Sequence, residues 1–574
     1  MQKRKLLAVV GALVVAMQAS RAASFFVAPD GTAQGDGTRE KPFSLAAIPR
    51  EKLKPGDEVV FLDGVYKGTL SISSIGNEKG PIVYRAANRH RAILDGGTPV
   101  AGWQKAPNLA GVWTCRMNAV PERFLVNGEG LIPSTSRWRR DGKESLDEGM
   151  FASEKIERDP DVLEEDKGGA RNRESGESGE RPAHSRDSRD SRFAGSRFLV
   201  HIRPWAGAEP KEVFALSGTI LHVSGAYNIV DGFLVRRGVI GIGLGGKLVH
   251  TYKQEAGTYL DISGLANNSY GSFNIVRNCI VRDMMGCGMT SNESRFNLIE
   301  DCVIYNAGMG QGDHGIYISQ GAENLVLRRN VWWRTSGGAI HIYSGTGVDS
   351  PRNIVVERNV FGPDKRNRCF PLAGRKSAAV YVWGGSRWAG GNRIVHNLVL
   401  GPVDRAMSVH KCHFNLIAHN TLVGSDGAPV QIGESFGNLI LNNILEYAPG
   451  GEAHPGGYVN FLDDARGPAL NTVRGNLLLP RGDGGKEVPA WALASKFAAA
   501  DPFVDRAKFD FRLKPDSQAI GLGIPFPHLT PEGKDKAPSA GALEPGDEVF
   551  GEKGKFPEIP QWLLDEWPLS RRGQ

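Results

Sequence analysis

The chain has 574 residues, of which 40% are hydrophobic and 23% charged, and a formal net charge of +6. One ordinary globular core does not reach that length, so several domains or one elongated repeat is implied. The charge argues for no nucleic-acid partner: Lys3, Arg4, Lys5 and Arg21 lie in an acid-free leader, leaving about +2 for the rest. Six cysteines and no CxxC pair exclude a disulfide framework.

Residues 1–22, "MQKRKLLAVVGALVVAMQASRA", combine a basic start, an apolar run from Leu6 to Met17 and small residues Ser20 and Ala22. This is the pattern of a signal peptide. The run is short for a membrane span and no other stretch approaches about eighteen apolar residues, so a secreted or periplasmic protein without a span is expected. Short apolar runs over 24–98 read as opening strands. Residues 99–222, with "GVWTCRM" and "RFLVNGEGLIPSTSRW", read as a small inserted β-rich subdomain. Inside it, 154–192 is charged, serine-rich and poor in large apolar residues, and is expected to be disordered.

From 223 to 480 the chain repeats. Eight segments, from "NIVRNCIV" at Asn274 to "NTVRGNLLL" at Asn471, each place a polar residue between two apolar strands: Asn278, Asp301, Asn330, Asn359, Asn397, Asn420, Asn443 and Asn476. Their steps are 23, 29, 29, 38, 23, 23 and 33 residues, a period near 23 with loops added. Short strands at that period predict a β-solenoid, with the asparagine taking an unusual backbone angle at a bend and bonding its counterpart in the next coil. This pattern resembles the right-handed parallel β-helix superfamily of pectate-lyase-like enzymes. "FFVAPDGTAQGDGTREKPFSLAAI" at 25–48 and "DPFVDRAKFDFRLKPDSQAIGLG" at 501–523 resemble the opening and closing segments of its secreted polysaccharide lyases and glycosidases, so 481–574 is read as a closing segment and tail.

Each coil has a second, alternating strand: "CGMTSN", "HGIYIS", "GAIHIY", "AAVYVW", "RAMSVH" and "APVQIG". With Met289, Ile316, Ile340, Val380, Met407 and Val430 pointing inward, one outward row is Thr290, Tyr317, His341, Tyr381, Ser408 and Gln431. A second is Asn292, Ser319, Tyr343, Trp383, His410 and Gly433. Coils about 4.8 Å apart would join these into one aromatic and imidazole patch, unless a loop such as 362–377 covers it. His314 is expected at the rim, beside Asp313, Ser377 and Asp404.

The resemblance implies a polysaccharide substrate and a monomer. Elimination on a uronate needs a base, an acid and a carboxylate neutraliser. His341 fits the base and Tyr343 or Tyr317 the acid; Arg405, Lys376 or Lys411 fits the neutraliser, with His314 and His410 beside them. Tyr381, Trp383, Asn292 and Gln431 would bind sugar. Between Arg328 and Lys411 stand fourteen basic residues against four acids, enough to face an anionic partner. Neither outward row contains an acid, so no cofactor is expected in the chemistry, while calcium elsewhere stays open. "HKCH" at 410–413 lacks a second ligand cluster. The alternatives are a glycoside hydrolase using Asp313, Asp404 and Glu434, and a non-catalytic carbohydrate-binding solenoid.

Overall fold

The computed structural model describes residues 22–107, 109–133, 146–147, 149–156, 197–245, 271–309, 312–344, 350–364, 378–385, 389–450, 455–462, 467–526, 537–550 and 554–565. The leader, most of the charged stretch up to 192, Lys376 and Ser377 lie outside them. Two compact units are present, residues 97–217 and the two stretches flanking them.

The larger unit is a parallel β-helix. Its coils feed three sheets of 13, 12 and 10 strands, and every pairing within them is parallel. The sequence cause is period-two alternation in strands of three to five residues. In the 13-stranded sheet Val276, Ile299, Leu327, Val356, Ile394, Ile417 and Ile440 stand in register and are fully buried. In the 12-stranded sheet Val281, Ile304, Trp332, Phe361, Val399, Leu422 and Leu445 do the same.

Two amide ladders run up the corners. In one, each side-chain NH2 of Asn330, Asn359, Asn397, Asn420 and Asn443 donates to the Oδ1 of the next, ending on Asn476, at 3.0–3.1 Å. All six are buried, and each bond satisfies a donor that water cannot reach. The expected column is displaced by one residue in two coils. Strand register puts Cys279 and Cys302, not Asn278 and Asp301, in the ladder slot, and the Cys302 amide donates to Asn330 Oδ1 at 3.0 Å. Asn278 and Asp301 instead occupy the preceding bend, with φ of 54° and 53°. Arg329, Arg358, His396, His419 and Asn442 take that left-handed bend in the following coils. The unusual angle therefore belongs to the residue before the ladder asparagine.

The second ladder shows the same displacement. Asn392, Asn415, Asn438 and Asn471 bond in series, but register puts Leu325 and Ile354 in the slot and Asn324 and Asn353 at the bend.

The sheets differ on their outer faces. That of the 12-stranded sheet is covered by the C-terminal segment, where Phe503, Phe511, Leu543 and Leu563 pack with Tyr305, Val331, Trp333 and Leu400. The 13-stranded sheet carries an outward row of Arg85, Asp231, Arg277, Glu300, Arg328 and Glu357. The 10-stranded sheet carries the two rows read from the sequence. Surplus residues of the longer coils leave at the ends of this third sheet's strands, as between Ala307 and Ile316 and between Tyr343 and Val355.

Residues 97–217 form a separate eight-stranded sheet over Phe124, Val126, Leu131, Phe151, Val200, Ile202 and Val213. This unit closes at Ser217, earlier than the expected 222, because Thr219–Val223 already pairs with Leu70–Ile72 and Ile240–Leu244 as a coil strand. The strand Met150–Ile156 takes in the first three residues of the stretch read as disordered. At the other end coil pairing continues past 480 to Lys496–Phe497. The five described cysteines are buried free thiols.

Candidate functional site

The third sheet positions the site. Its strands Met289–Asn292, Ile316–Ser319, Ile340–Tyr343, Val380–Trp383, Met407–His410 and Val430–Gly433 pair in perfect register, so Thr290, Tyr317, His341, Tyr381, Ser408 and Gln431 form one row. Asn292, Ser319, Tyr343, Trp383, His410 and Gly433 form the other. Below them Ile316, Ile340, Val380, Met407 and Val430 are in the core.

The rings make a connected cluster. Tyr381 stacks on His341 with centroids 4.8 Å apart, and Tyr317 and Tyr343 lie 5.5 and 5.4 Å from the same imidazole. Trp383 stacks on His410 at 4.2 Å, and the Lys411 ammonium lies 5.9 Å from the indole centroid. Glu434 holds the other side of that pair, 3.4 Å from His410 Nε2 and 3.5 Å from Lys411 Nζ.

His314 stands just ahead of its strand, as the alignment of the coils implies, but it is buried there. The side chain is 2% exposed, and its Nε2 lies 2.8 Å from Nδ1 of His341, itself 9% exposed. Gly338 and Ala378 stand level with it in the next coils. That glycine sits at φ 145°.

Burial sets the electrostatics. It lowers the His314 pKa to about 4, weakly opposed by the Gly337 backbone, and holds His341 well below the ordinary imidazole value, with His314 adding to the effect. Both rings are neutral at pH 7. Burial pushes the Tyr317 phenol up to about 12 and also raises Tyr381, which the Arg405 guanidinium partly offsets. Among the described residues of the first row, two buried polar atoms are left without a hydrogen-bond partner, Nε2 of His341 and Nε2 of Gln431.

Arg405 is 2% exposed, and burial lowers its pKa to about 10, so it still carries its charge. Its Nη1 bonds Oε1 of Gln431, which also accepts from Ser408 Oγ at 3.4 Å. Gln431 is thus a buried residue that orders the guanidinium, rather than an exposed sugar contact. Asn292 accepts from Ser319 Oγ at 2.7 Å.

The three expected carboxylates have separate surroundings. Asp313 accepts from the Met309 amide, the Asp404 amide donates to Asp364, and Glu434 joins His410 and Lys411. The basic excess is also divided, since Arg328 and Arg329 pair with Glu300 and Asp301, and Arg352 with Glu323. The "HKCH" side chains part company: His410 stacks on Trp383, Cys412 bonds Asn415, and the His413 ring stacks on Phe436. Among the described residues no helix is long and apolar enough to cross a membrane.

A family profile described as a right handed beta helix region matches residues 253–361. An uncharacterized protein of Bacillus subtilis strain 168, YwoF, is 34% identical over 71 residues, 12% of this chain and 15% of that relative's length. Among solved structures, XylC with xylose aligns at 14% identity over 83% of this chain and 86% of its own, with a TM-score of 0.48. Pectate lyase Pel9A aligns at 14% identity over 91% and 96%, with a TM-score of 0.45. With three parallel sheets stacked coil on coil, the larger unit has the parallel β-helix fold, of the right-handed kind over the matched region.

Proposed function

We propose that this protein is an exported carbohydrate-active enzyme that cleaves a uronate-containing polysaccharide by β-elimination. One observation carries the reading: two neutral imidazoles, hydrogen-bonded to each other, lie in ring contact with two phenols, and a buried guanidinium acts on Tyr381, beside two outward rows that contain no carboxylate. That set supplies a base, an acid and a carboxylate neutraliser, whereas hydrolysis generally calls for two carboxyl groups facing one bond.

In this reading Arg405 neutralises the uronate carboxylate and makes the C5 proton more acidic. His341 Nε2 takes that proton, the electron pair forms the C4–C5 double bond, and the C4–O4 bond breaks. The leaving oxygen receives its proton from Tyr317 or Tyr343, both in ring contact with His341. Burial keeps Tyr317 protonated in the resting site. It also makes His341 a weak base there, and a uronate carboxylate brought close raises its proton affinity, which favours an anionic substrate. Tyr381 and Trp383 offer ring surfaces to sugar, with Lys411 as a second cation.

The test is the ultraviolet absorbance of unsaturated uronate product on a panel of uronate polysaccharides, run beside a reducing-end assay on neutral ones. Absorbance that rises with the protein and vanishes in His341→Ala supports elimination. New reducing ends without absorbance would replace it with hydrolysis and turn attention to Asp313, Asp404 and Glu434.

A further inference from the structure

This inference rests on reading His341 as the base. One proton lies between His341 Nδ1 and His314 Nε2, 2.8 Å apart, and two neutral arrangements satisfy that bond. If His314 donates, His341 carries its proton on Nε2, and that nitrogen has no lone pair with which to take another. His314 Nδ1 is then a bare lone pair facing backbone. If His341 donates, its Nε2 is a bare lone pair among the phenol rings, and His314 carries its proton on Nδ1. The second arrangement matches the surroundings. The Gly337 backbone favours a proton on the His314 ring, and with Nε2 engaged by His341 that proton falls on Nδ1.

We propose that His314 is a positioning residue: by accepting from His341 Nδ1–H it fixes that ring in the tautomer whose Nε2 is open to take a proton. His314 does not touch substrate. The pair resembles the general arrangement in which a second group orients a catalytic imidazole, here with an imidazole where a carboxylate often stands. A neutral orienting group leaves a buried site without added negative charge, which suits an anionic substrate.

The experiment is nitrogen NMR of the full chain with 15N-labelled histidine rings, in wild type, His314→Gln and His314→Leu. The His341 signals are assigned by their loss in His341→Gln. The glutamine side-chain oxygen accepts the same N–H; leucine cannot. The expected result is a His341 ring protonated at Nδ1 in wild type and His314→Gln, shifting toward Nε2 in His314→Leu. On a uronate polymer the wild type cleaves, His314→Leu then loses about tenfold or more in kcat with little change in KM, and His314→Gln recovers most of it. A wild-type His341 protonated at Nε2, or a tautomer unmoved by leucine, overturns the proposal. Should His314→Leu fail to fold, wild type and His314→Gln still decide it. A wild type that cleaves no uronate polymer counts against the proposed reaction, while the tautomer is read independently of it.

Discussion

Two outward rows of the same solenoid share one geometry and differ in chemistry. On the 13-stranded sheet, Arg85, Asp231, Arg277, Glu300, Arg328 and Glu357 alternate in sign, and Arg277 reaches Asp231 at 2.7 Å and Arg328 reaches Glu300 at 2.8 Å. Each charge there meets its opposite one coil away. On the 10-stranded sheet, the row from Thr290 to Gln431 contains rings, an imidazole and buried atoms left unpaired. Leaving a buried polar group unpaired costs roughly 1–3 kcal/mol. A fold that can pair its outward groups coil to coil, and does so on one face, marks the other face by failing to do so.

The largest response comes from His341→Ala, expected to lower elimination by about 10²–10⁴, with a stability loss of roughly 1–3 kcal/mol from the broken bond to His314 that leaves the chain folded. Intact cleavage in that variant would reduce the row to a wall. Next, Arg405→Gln is expected to cost roughly 10² in kcat/KM on uronate polymers, and a variant that cleaves uronate as well as the wild type would remove Arg405 from carboxylate recognition.

Asn420→Ala probes the frame rather than either face. It removes bonds to Asn443 and to the Ile394 carbonyl, and unfolding should cost about 1–3 kcal/mol less, read as a lower denaturant midpoint.

Acid reaches the buried imidazoles selectively. His314, His341, His396 and His419 are all held below their ordinary value by burial. Such groups contribute stability in full above the unfolded value near 6.5, and that contribution is lost as pH falls toward the folded values, about 4 for His314, because the unfolded chain takes up protons first. The Tm should therefore decline from about pH 6.5 downward. A Tm level to pH 5 would mean the rings are solvated. Glu300→Gln should do least, under about 1 kcal/mol with unchanged cleavage, since its partners Arg328 and Arg329 are about one-third exposed.

Both outward rows could be read from the sequence because alternation and a small residue at each strand start leave one register open. The ladders were ambiguous because asparagine suits both a left-handed bend and a ladder slot, so Asn278 and Asn324 looked like Asn330 and Asn392. The neighbouring apolar residues, Ile280 against Val303 and Val326 against Val355, decide between the two. The burial of His314 was out of reach for another reason. It depends on packing against the next coil, above all on the His341 ring, rather than on the histidine's own sequence position.

Surplus residues of the longer coils leave from the ends of the third sheet's strands, as before Ile316 and after Tyr343. The ladder amides and core residues repeat from coil to coil whether the step is 23 or 38 residues. Loop length is thus decoupled from wall register. For a lineage or an engineer, the rim of this face is exchangeable: a segment cut in or out beside Ile316 or Val380 alters what can reach the two outward rows and leaves the coils beneath wound as before.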